Sequence, residues 1–291
     1  MRTRLIRPLL NHRGPRPRAG TRIAGLSYDG RFVGAHDRRE ILEALATLHP
    51  IWEERYAPHH PPPAGEQNRK LLRPIYWLGD WQFACLGYYR PPRATRDCAV
   101  RAEPFPPVLA RLVSDIESRT RRLFAPRDIP RGWHLNTCLI NYYGSRIENG
   151  KRIDVARVGE HKDFEPGPVA SVSLGERALF QFIASRKKGE RDRVVHEMWL
   201  DDGSLQIFGG PRWKSEFFHR VQRVDRRAGA HFDIAVDNFD VRRINFTFRF
   251  VPDADIVAFA KLDAAARDDV TRYVTQLAEH SAFWRAAAER R

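Results

Sequence analysis

Arg243-Ile244-Asn245-Phe246-Thr247-Phe248-Arg249 is the stretch on which the fold turns. Polar and apolar residues alternate with period two. An extended backbone therefore puts Arg243, Asn245, Thr247 and Arg249 on one face and Ile244, Phe246 and Phe248 on the other. An ordinary surface strand alternates too. This one differs in that its polar face offers two guanidiniums, an amide and a hydroxyl without an acid partner, a set suited to gripping a carboxylate at a barrel mouth. Upstream, Leu139-Ile140-Asn141-Tyr142-Tyr143 places Asn141 and Tyr143 on one face in the same way, within reach of the same ligand.

Further strands are expected at Asn136–Tyr143, Ala170–Leu174, Ala178–Ile183, Val194–Leu200, Ser204–Phe208 and Ile244–Val251. Short strands separated by Gly, Pro and charged turns point to a sandwich or barrel. Asp37 to Leu48 has Ile41, Leu42, Leu45 and Leu48 at helical spacing, and Pro107 to Phe124 reads as a second amphipathic helix. Between them, Ala57 to Asn68 with His59-His60-Pro61-Pro62-Pro63 reads as an exposed polyproline turn. Asp263 to Ala288 is a closing helical region. The expected fold class is α+β, a double-stranded β-helix (jelly roll) with flanking N- and C-terminal helices. Its parts are a basic, disordered tail (1–36), a helical extension (37–130), the β core (131–255) and a C-terminal helical region (256–291).

The 291 residues can bury a sizeable core, and no apolar run of membrane-spanning length occurs. The formal net charge of +14 favours phosphate backbones as partners. Cys85, Cys98 and Cys138 form no C-x-x-C pair, which fits a reducing compartment and argues against a disulfide framework. The localisation expected is cytoplasmic, or nuclear or organellar in a eukaryote. The first 28 residues carry seven arginines and no acid, the composition of a disordered tail, a transit peptide or an arm on nucleic acid.

His161-Lys162-Asp163 puts an imidazole and a carboxylate two residues apart, on one face of an extended segment. His219, in Phe217-Phe218-His219-Arg220-Val221, supplies a second imidazole. Two histidines and one carboxylate are the set that holds non-haem Fe(II) and leaves a face open for oxygen chemistry. His134, His196 and His231 (in His231-Phe232-Asp233) are rival ligands that rank lower. With the arginine strand following, the chain reads as an Fe(II) oxygenase that consumes a 2-oxo acid.

Taken together, Cys138-Leu-Ile-Asn141-Tyr-Tyr143, His161-x-Asp163, Pro168-Val-Ala-Ser-Val-Ser-Leu-Gly175, Leu179-Phe-Gln-Phe182, Asp202-Gly-Ser-Leu, Gly209-Gly210, His219 and Arg243-x-Asn-x-Thr-x-Arg249 resemble the AlkB family of Fe(II)/2-oxoglutarate-dependent dioxygenases. The resemblance runs from about Asn136 to Val251. It implies a jelly roll with Fe(II) on His161, Asp163 and His219. It also implies 2-oxoglutarate on Asn141, Tyr143, Arg243 and Arg249 with Asn245 nearby, the distal carboxylate on Arg243 and the metal-proximal end on Arg249. O2 is the third reactant. Two stretches depart from the pattern: 144–160 is long and strongly charged, and the loop 224–241 is expanded.

The activity implied is oxidative N-demethylation of alkylated nucleobases in DNA or RNA, single strands favoured, by a monomer acting in repair. A base must leave its stack to reach buried iron, which asks for an aromatic platform and cations for the phosphates. Trp77, Trp81 and Tyr88, with Tyr89, are the candidate platform and make 37–130 a nucleotide lid; the other reading of such a cluster is core. Glu165 is a candidate contact to the exocyclic edge of the base. Arg146, Lys151, Arg152, Arg157, Lys187 and Lys188 are candidate phosphate contacts. The competing functions are hydroxylation or demethylation of a protein or small molecule, and nucleic-acid binding without catalysis.

Overall fold

The alternating stretch becomes the centre of the larger of two facing antiparallel sheets. The structure is a computed structural model that describes residues 23–68, 70–86, 99–155, 157–184, 193–224 and 231–290. In chain order the strands are β1 (Leu26–Asp29), β2 (Ile75–Leu78), β3 (Asp80–Gln82), β4 (Ala99–Arg101), β5 (Thr137–Glu148), β6 (Lys151–Val155), β7 (Val158–His161), β8 (Val169–Gly175), β9 (Ala178–Ala184), β10 (Val194–Leu200), β11 (Ser204–Phe208), β12 (Phe217–Val224), β13 (Phe239–Arg249) and β14 (Ile256–Val257). The helices are α1 (Ala35–Ala46), α2 (Pro107–Leu123), α3 (Ala264–Ala278) and α4 (Ala282–Glu289). The larger sheet runs β1-β11-β8-β13-β5-β2 with β6 paired to β5, and the smaller runs β10-β9-β12-β7. A short third sheet joins β14, β4 and β3.

The period-two pattern of β13 explains how the sheet is buried on both sides. Its apolar residues Ile244, Phe246 and Phe248 join Ile140, Tyr142 and Val172 in one core with Ile41 and Leu45 of α1, Leu109 and Ile116 of α2, and Val270 and Val274 of α3. Its polar residues face the smaller sheet. A second core of Val169 and Phe208 against Phe180, Phe182, Met198 and Val221 closes the far end between the sheets. This is the jelly roll with flanking helices that the sequence predicts. Gly144 allows the long β5–β13 ladder to pass its irregularity at Val241, since a Cβ there would lie 1.8 Å from the Asp240 carbonyl oxygen.

Several boundaries move. Residues 26–29, expected in a disordered tail, form β1 and pair with β11, so the tail expectation concerns 1–22, which lie outside the described residues. The segment 37–130 is not only helical, because β2 enters the larger sheet beside β5 and β3 and β4 form the third. The charged stretch 144–160 is a hairpin extension, in which Arg146 pairs with Glu148 at 2.5 Å and Arg152 with Asp240 at 3.1 Å. His59 and His60 are half-exposed, but their Nδ1 atoms lie 3.0 and 2.8 Å from the two oxygens of the buried Asp269 carboxylate and tie the proline-rich loop to α3.

Glu53 lies in the main core, fully buried, and accepts hydrogen bonds from the Trp81 indole and, at 2.9 Å, from the Ala84 amide. Burial raises its carboxyl to about 8. A raised carboxyl favours folding fully below the unfolded value near 4.5 and loses that contribution as pH climbs through about 8. Stability should therefore fall by a few kcal/mol between those limits. Glu53→Gln should flatten this slope in thermal unfolding followed from pH 5 to pH 9; an equally steep slope in the variant would place the titrating group elsewhere.

Candidate active site

The site begins with a register. β12 runs antiparallel to β7 with His219 directly opposite His161, and the two rings lie 4.2 Å apart between centroids. β7 ends at His161, so Asp163 arrives from the loop beyond and not from the same strand face. Arg249 holds it there, with Nε at 2.8 Å and Nη2 at 2.7 Å from Oδ1. The donor atoms of His161, Asp163 and His219 all lie within 4.8 Å of one another.

Each donor is prepared for a cation. His161 Nδ1 sits 2.8 Å from the Gly159 carbonyl oxygen; donating there, it leaves the Nε2 lone pair for the site. Burial, and then the neighbouring His219, lower the His161 imidazole to about 3, so it is neutral at physiological pH. Burial alone would raise the Asp163 carboxyl, but Arg249 and His219 outweigh it and hold it well below the usual range. Its Oδ2 is buried, accepts no hydrogen bond among the described residues, and lies 3.3 Å from His219 Nε2. The neutral His161 imidazole, the His219 imidazole beside it and an ionised carboxylate with a free oxygen fit Fe(II). Phe180 stacks on His219 at 5.5 Å and Phe208 lies 5.2 Å away, walling that ring from water.

The polar face of β13 forms the next layer. Across the ladder Arg243 pairs with Tyr143 and Asn245 with Asn141. Arg243 is 1% exposed; its Nη2 donates to Ser173 Oγ at 2.9 Å, and its guanidinium lies 4.8 Å from the Tyr143 ring centroid. Arg243 Nε and Nη1 are buried with no hydrogen-bond partner among the described residues. Two buried, unsatisfied donors on a residue that lines the cavity are what a carboxylate would satisfy. Asn245 is fixed by Ser171 Oγ at 2.8 Å and the Val172 carbonyl at 3.0 Å, and Thr247 donates to Asn245 Oδ1 at 3.0 Å. Arg73 covers the other end, donating from Nε to Asn141 Oδ1 at 2.7 Å, 5.2 Å from the Tyr143 ring.

These groups line one cavity of about 1040 Å3 that opens between the sheets. The family model of the 2OG-Fe(II) oxygenase superfamily matches residues 25–249, nearly the whole of this architecture. The chain belongs to that superfamily. It is a dioxygenase, and its cofactors are those of the superfamily: Fe(II), with 2-oxoglutarate and O2 as co-substrates. Among solved structures, that of OsALKBH1 is similar over 78% of this chain and 99% of its own, with 22% identity and a TM-score of 0.47. YcfD, a ribosomal oxygenase from Escherichia coli in complex with cobalt and succinic acid, is similar over 86% of this chain and 52% of its own, with 10% identity and a TM-score of 0.32. No curated protein sequence matches the chain.

The cavity of the oxygenase takes in His161, Asp163, His219, Asn141, Tyr143, Arg243, Asn245, Arg249 and Glu165. Glu165 is buried; Gln82 Nε2 donates to its Oε1 at 3.0 Å, and Arg249 Nε lies 3.6 Å from Oε2. The aromatic platform needs correction. Trp77 and Trp81 are 1% and 0% exposed and are not among the lining residues. Trp77 sits in β2 opposite Leu139, and Trp81 packs between Phe83 at 4.7 Å and Trp284 at 5.5 Å. They are core, because β2 and β3 are covered on both sides. Tyr88, Tyr89, Lys187 and Lys188 lie outside the described residues. Arg146, Lys151, Arg152 and Arg157 do not line the cavity.

The rival histidines are elsewhere. His231 pairs with Asp240 at 2.9 Å on the surface, His134 tilts on Phe250, and His196 lies against Trp213. What the sequence reading missed are cations of the wall and rim: Arg55, Lys70, Arg73, Arg127 and Lys214. Lys214 comes from a π-helical turn, Arg212–Glu216, and donates to the Glu165 carbonyl oxygen at 2.8 Å. They come from three separate connections without periodicity, Arg55, Lys70 and Arg73 sharing the one between α1 and β2, so no local signal gathers them.

Proposed function

We propose that this oxygenase removes N-alkyl groups from nucleobases of DNA or RNA, single strands favoured. The observation that carries the reading is the charge of the cavity: nine Lys and Arg line it against four Asp and Glu. Arg243 and Arg249 answer the co-substrate and Asp163, and Arg220 pairs with Glu160 at 2.8 Å, which still leaves cations in excess for a ligand bearing several phosphates. The AlkB-like order of motifs supports the same substrate class.

In this reading His161, Asp163 and His219 hold Fe(II), which with 2-oxoglutarate and O2 supplies the oxidising chemistry when bound. The protein's own work is positioning. Arg249 occupies Asp163 Oδ1 and so turns Oδ2 toward the metal position. Arg243, seated on Ser173 and Tyr143, takes the distal carboxylate of 2-oxoglutarate, with Asn141, Tyr143 and Asn245 lining the same pocket. The metal-proximal end falls to Arg249. Glu165 offers Oε2, which accepts no hydrogen bond among the described residues, to an exocyclic amine of the base. The net change replaces N–CH3 by N–H: the methyl carbon leaves as formaldehyde, and 2-oxoglutarate leaves as succinate and CO2.

The test is release of succinate and formaldehyde from Fe(II)-loaded protein given 2-oxoglutarate, O2 and single-stranded oligonucleotides carrying 1-methyladenine or 3-methylcytosine. One formaldehyde per succinate is the expected result. Succinate without formaldehyde would discard these bases, and stimulation by a peptide but by no oligonucleotide would move the substrate to protein.

A further inference from the structure

We propose that Leu72 is a substrate-positioning residue, an apolar wedge at the cavity rim that packs against the base stack and fills the place of the base drawn into the site. The inference rests on the nucleic-acid reading above. Five large apolar side chains are exposed among the described residues: Leu72, Leu123, Ile147, Ile153 and Val194. Only Leu72, the most exposed at 52%, lines the cavity. A single exposed leucine is ordinary on a protein surface. Its position and its mounting make this one different.

The strap that carries it is anchored on both sides. The Leu71 amide donates to the Glu53 carbonyl oxygen at 2.6 Å, and Lys70 bridges to Glu54. Beyond Leu72, Arg73 is held by Asn141, the Pro74 carbonyl oxygen accepts from the Tyr142 amide at 3.2 Å, and Ile75 exchanges two 2.9 Å hydrogen bonds with Ile51. Backbone held on each side of a bare side chain makes a rigid point, not a flexible flap. The side chain therefore meets a ligand already ordered.

Charge beside it selects the ligand. Lys70, two residues before Leu72, is exposed on the same rim, and Arg55 and Arg127 line the same cavity. An apolar point on the rim of a cation-lined cavity matches stacked bases between phosphates, since an apolar wedge between bases offsets the stacking lost when one base leaves. With Trp77 and Trp81 in the core, Leu72 supplies the apolar contact that those residues cannot. A peptide substrate would ask for no such excess of cations in the cavity unless it were strongly acidic.

The test compares two substrates of the full-length, Fe(II)-loaded protein: a duplex with one 1-methyladenine and the same base as a mononucleotide, which has no stack to open. The readouts are formaldehyde release and, under anaerobic conditions, fluorescence of 2-aminopurine placed beside the modified base. Leu72→Ala should lower the duplex-to-mononucleotide rate ratio about tenfold and diminish the fluorescence rise on binding. Leu72→Met should restore both. A ratio and fluorescence that match wild type in Leu72→Ala, or equal losses on the two substrates, would overturn the wedge while leaving the demethylase intact. Formaldehyde from a single-stranded oligonucleotide but not from the duplex would overturn the wedge alone, and formaldehyde from no oligonucleotide would overturn the nucleic-acid reading and the wedge with it. Activity on an acidic peptide that falls in Leu72→Ala would reassign the residue to a protein substrate.

Discussion

Asp163→Ala should leave a protein that retains no Fe(II) after anaerobic reconstitution and releases no succinate, a loss of at least about three orders of magnitude in turnover if the metal is gone. Two consequences of one geometry converge here. The substitution removes a donor from a cluster whose atoms lie within 4.8 Å of one another, and it removes the carboxylate on which the buried Arg249 fork is built. Breaking a buried, hydrogen-bonded charge pair from one side costs about 3–5 kcal/mol. The metal-free variant should therefore also unfold at lower temperature than metal-free wild type. Asp163→Asn keeps the shape and loses the charge, so it should be less destabilised and equally poor at holding iron. Normal iron content in either variant would remove Asp163 from the site.

Arg243→Ala should raise the 2-oxoglutarate requirement about 100-fold with a much smaller change in the maximal rate. The argument is one of unsatisfied donors. Arg243 is buried, lines the cavity, hydrogen-bonds Ser173 through one nitrogen, and leaves Nε and Nη1 with no hydrogen-bond partner among the described residues. Losing a charge-assisted pair of such bonds corresponds to about 2–3 kcal/mol, which is the factor expected. Initial rates against 2-oxoglutarate, together with anaerobic binding of succinate, would measure it. Arg243→Lys should recover only part, because an ammonium cannot reproduce the flat fork. An unchanged requirement would move the co-substrate away from β13.

Much of this architecture is legible in the chain. The alternation of β13, and the bounds of Val194–Leu200 and Ser204–Phe208, coincide with strands because one face of each is polar or each ends at a turn. Strands β1 to β4 escape because they are three or four residues long or wholly apolar, as Ile75-Tyr76-Trp77-Leu78 is. A continuous apolar run carries no period, and there crowded tryptophans resemble a platform as much as a core. The metal-type donors are legible because they recur as a pattern of residue types. Their support is less so: the Gly159 carbonyl, Ser171 and Ser173 act through hydrogen bonds that no spacing announces. The cations of the rim are invisible for a related reason, since they come from three separate connections and only the fold brings them together.

The pairing of His161 with His219 across two strands has a thermodynamic consequence. β7 is four residues long and forms the edge of the smaller sheet, with β12 as its neighbour. Short edge strands are where native proteins fray first, at a free energy well below that of global unfolding. Fraying of β7 would separate the two imidazoles without disturbing the central ladder, so one four-residue segment would govern how long a metal held by both histidines stays. Mass action runs the other way as well: a metal clasped by both strands resists their parting, and amide hydrogen exchange in Val158–His161 becomes a gauge of site occupancy.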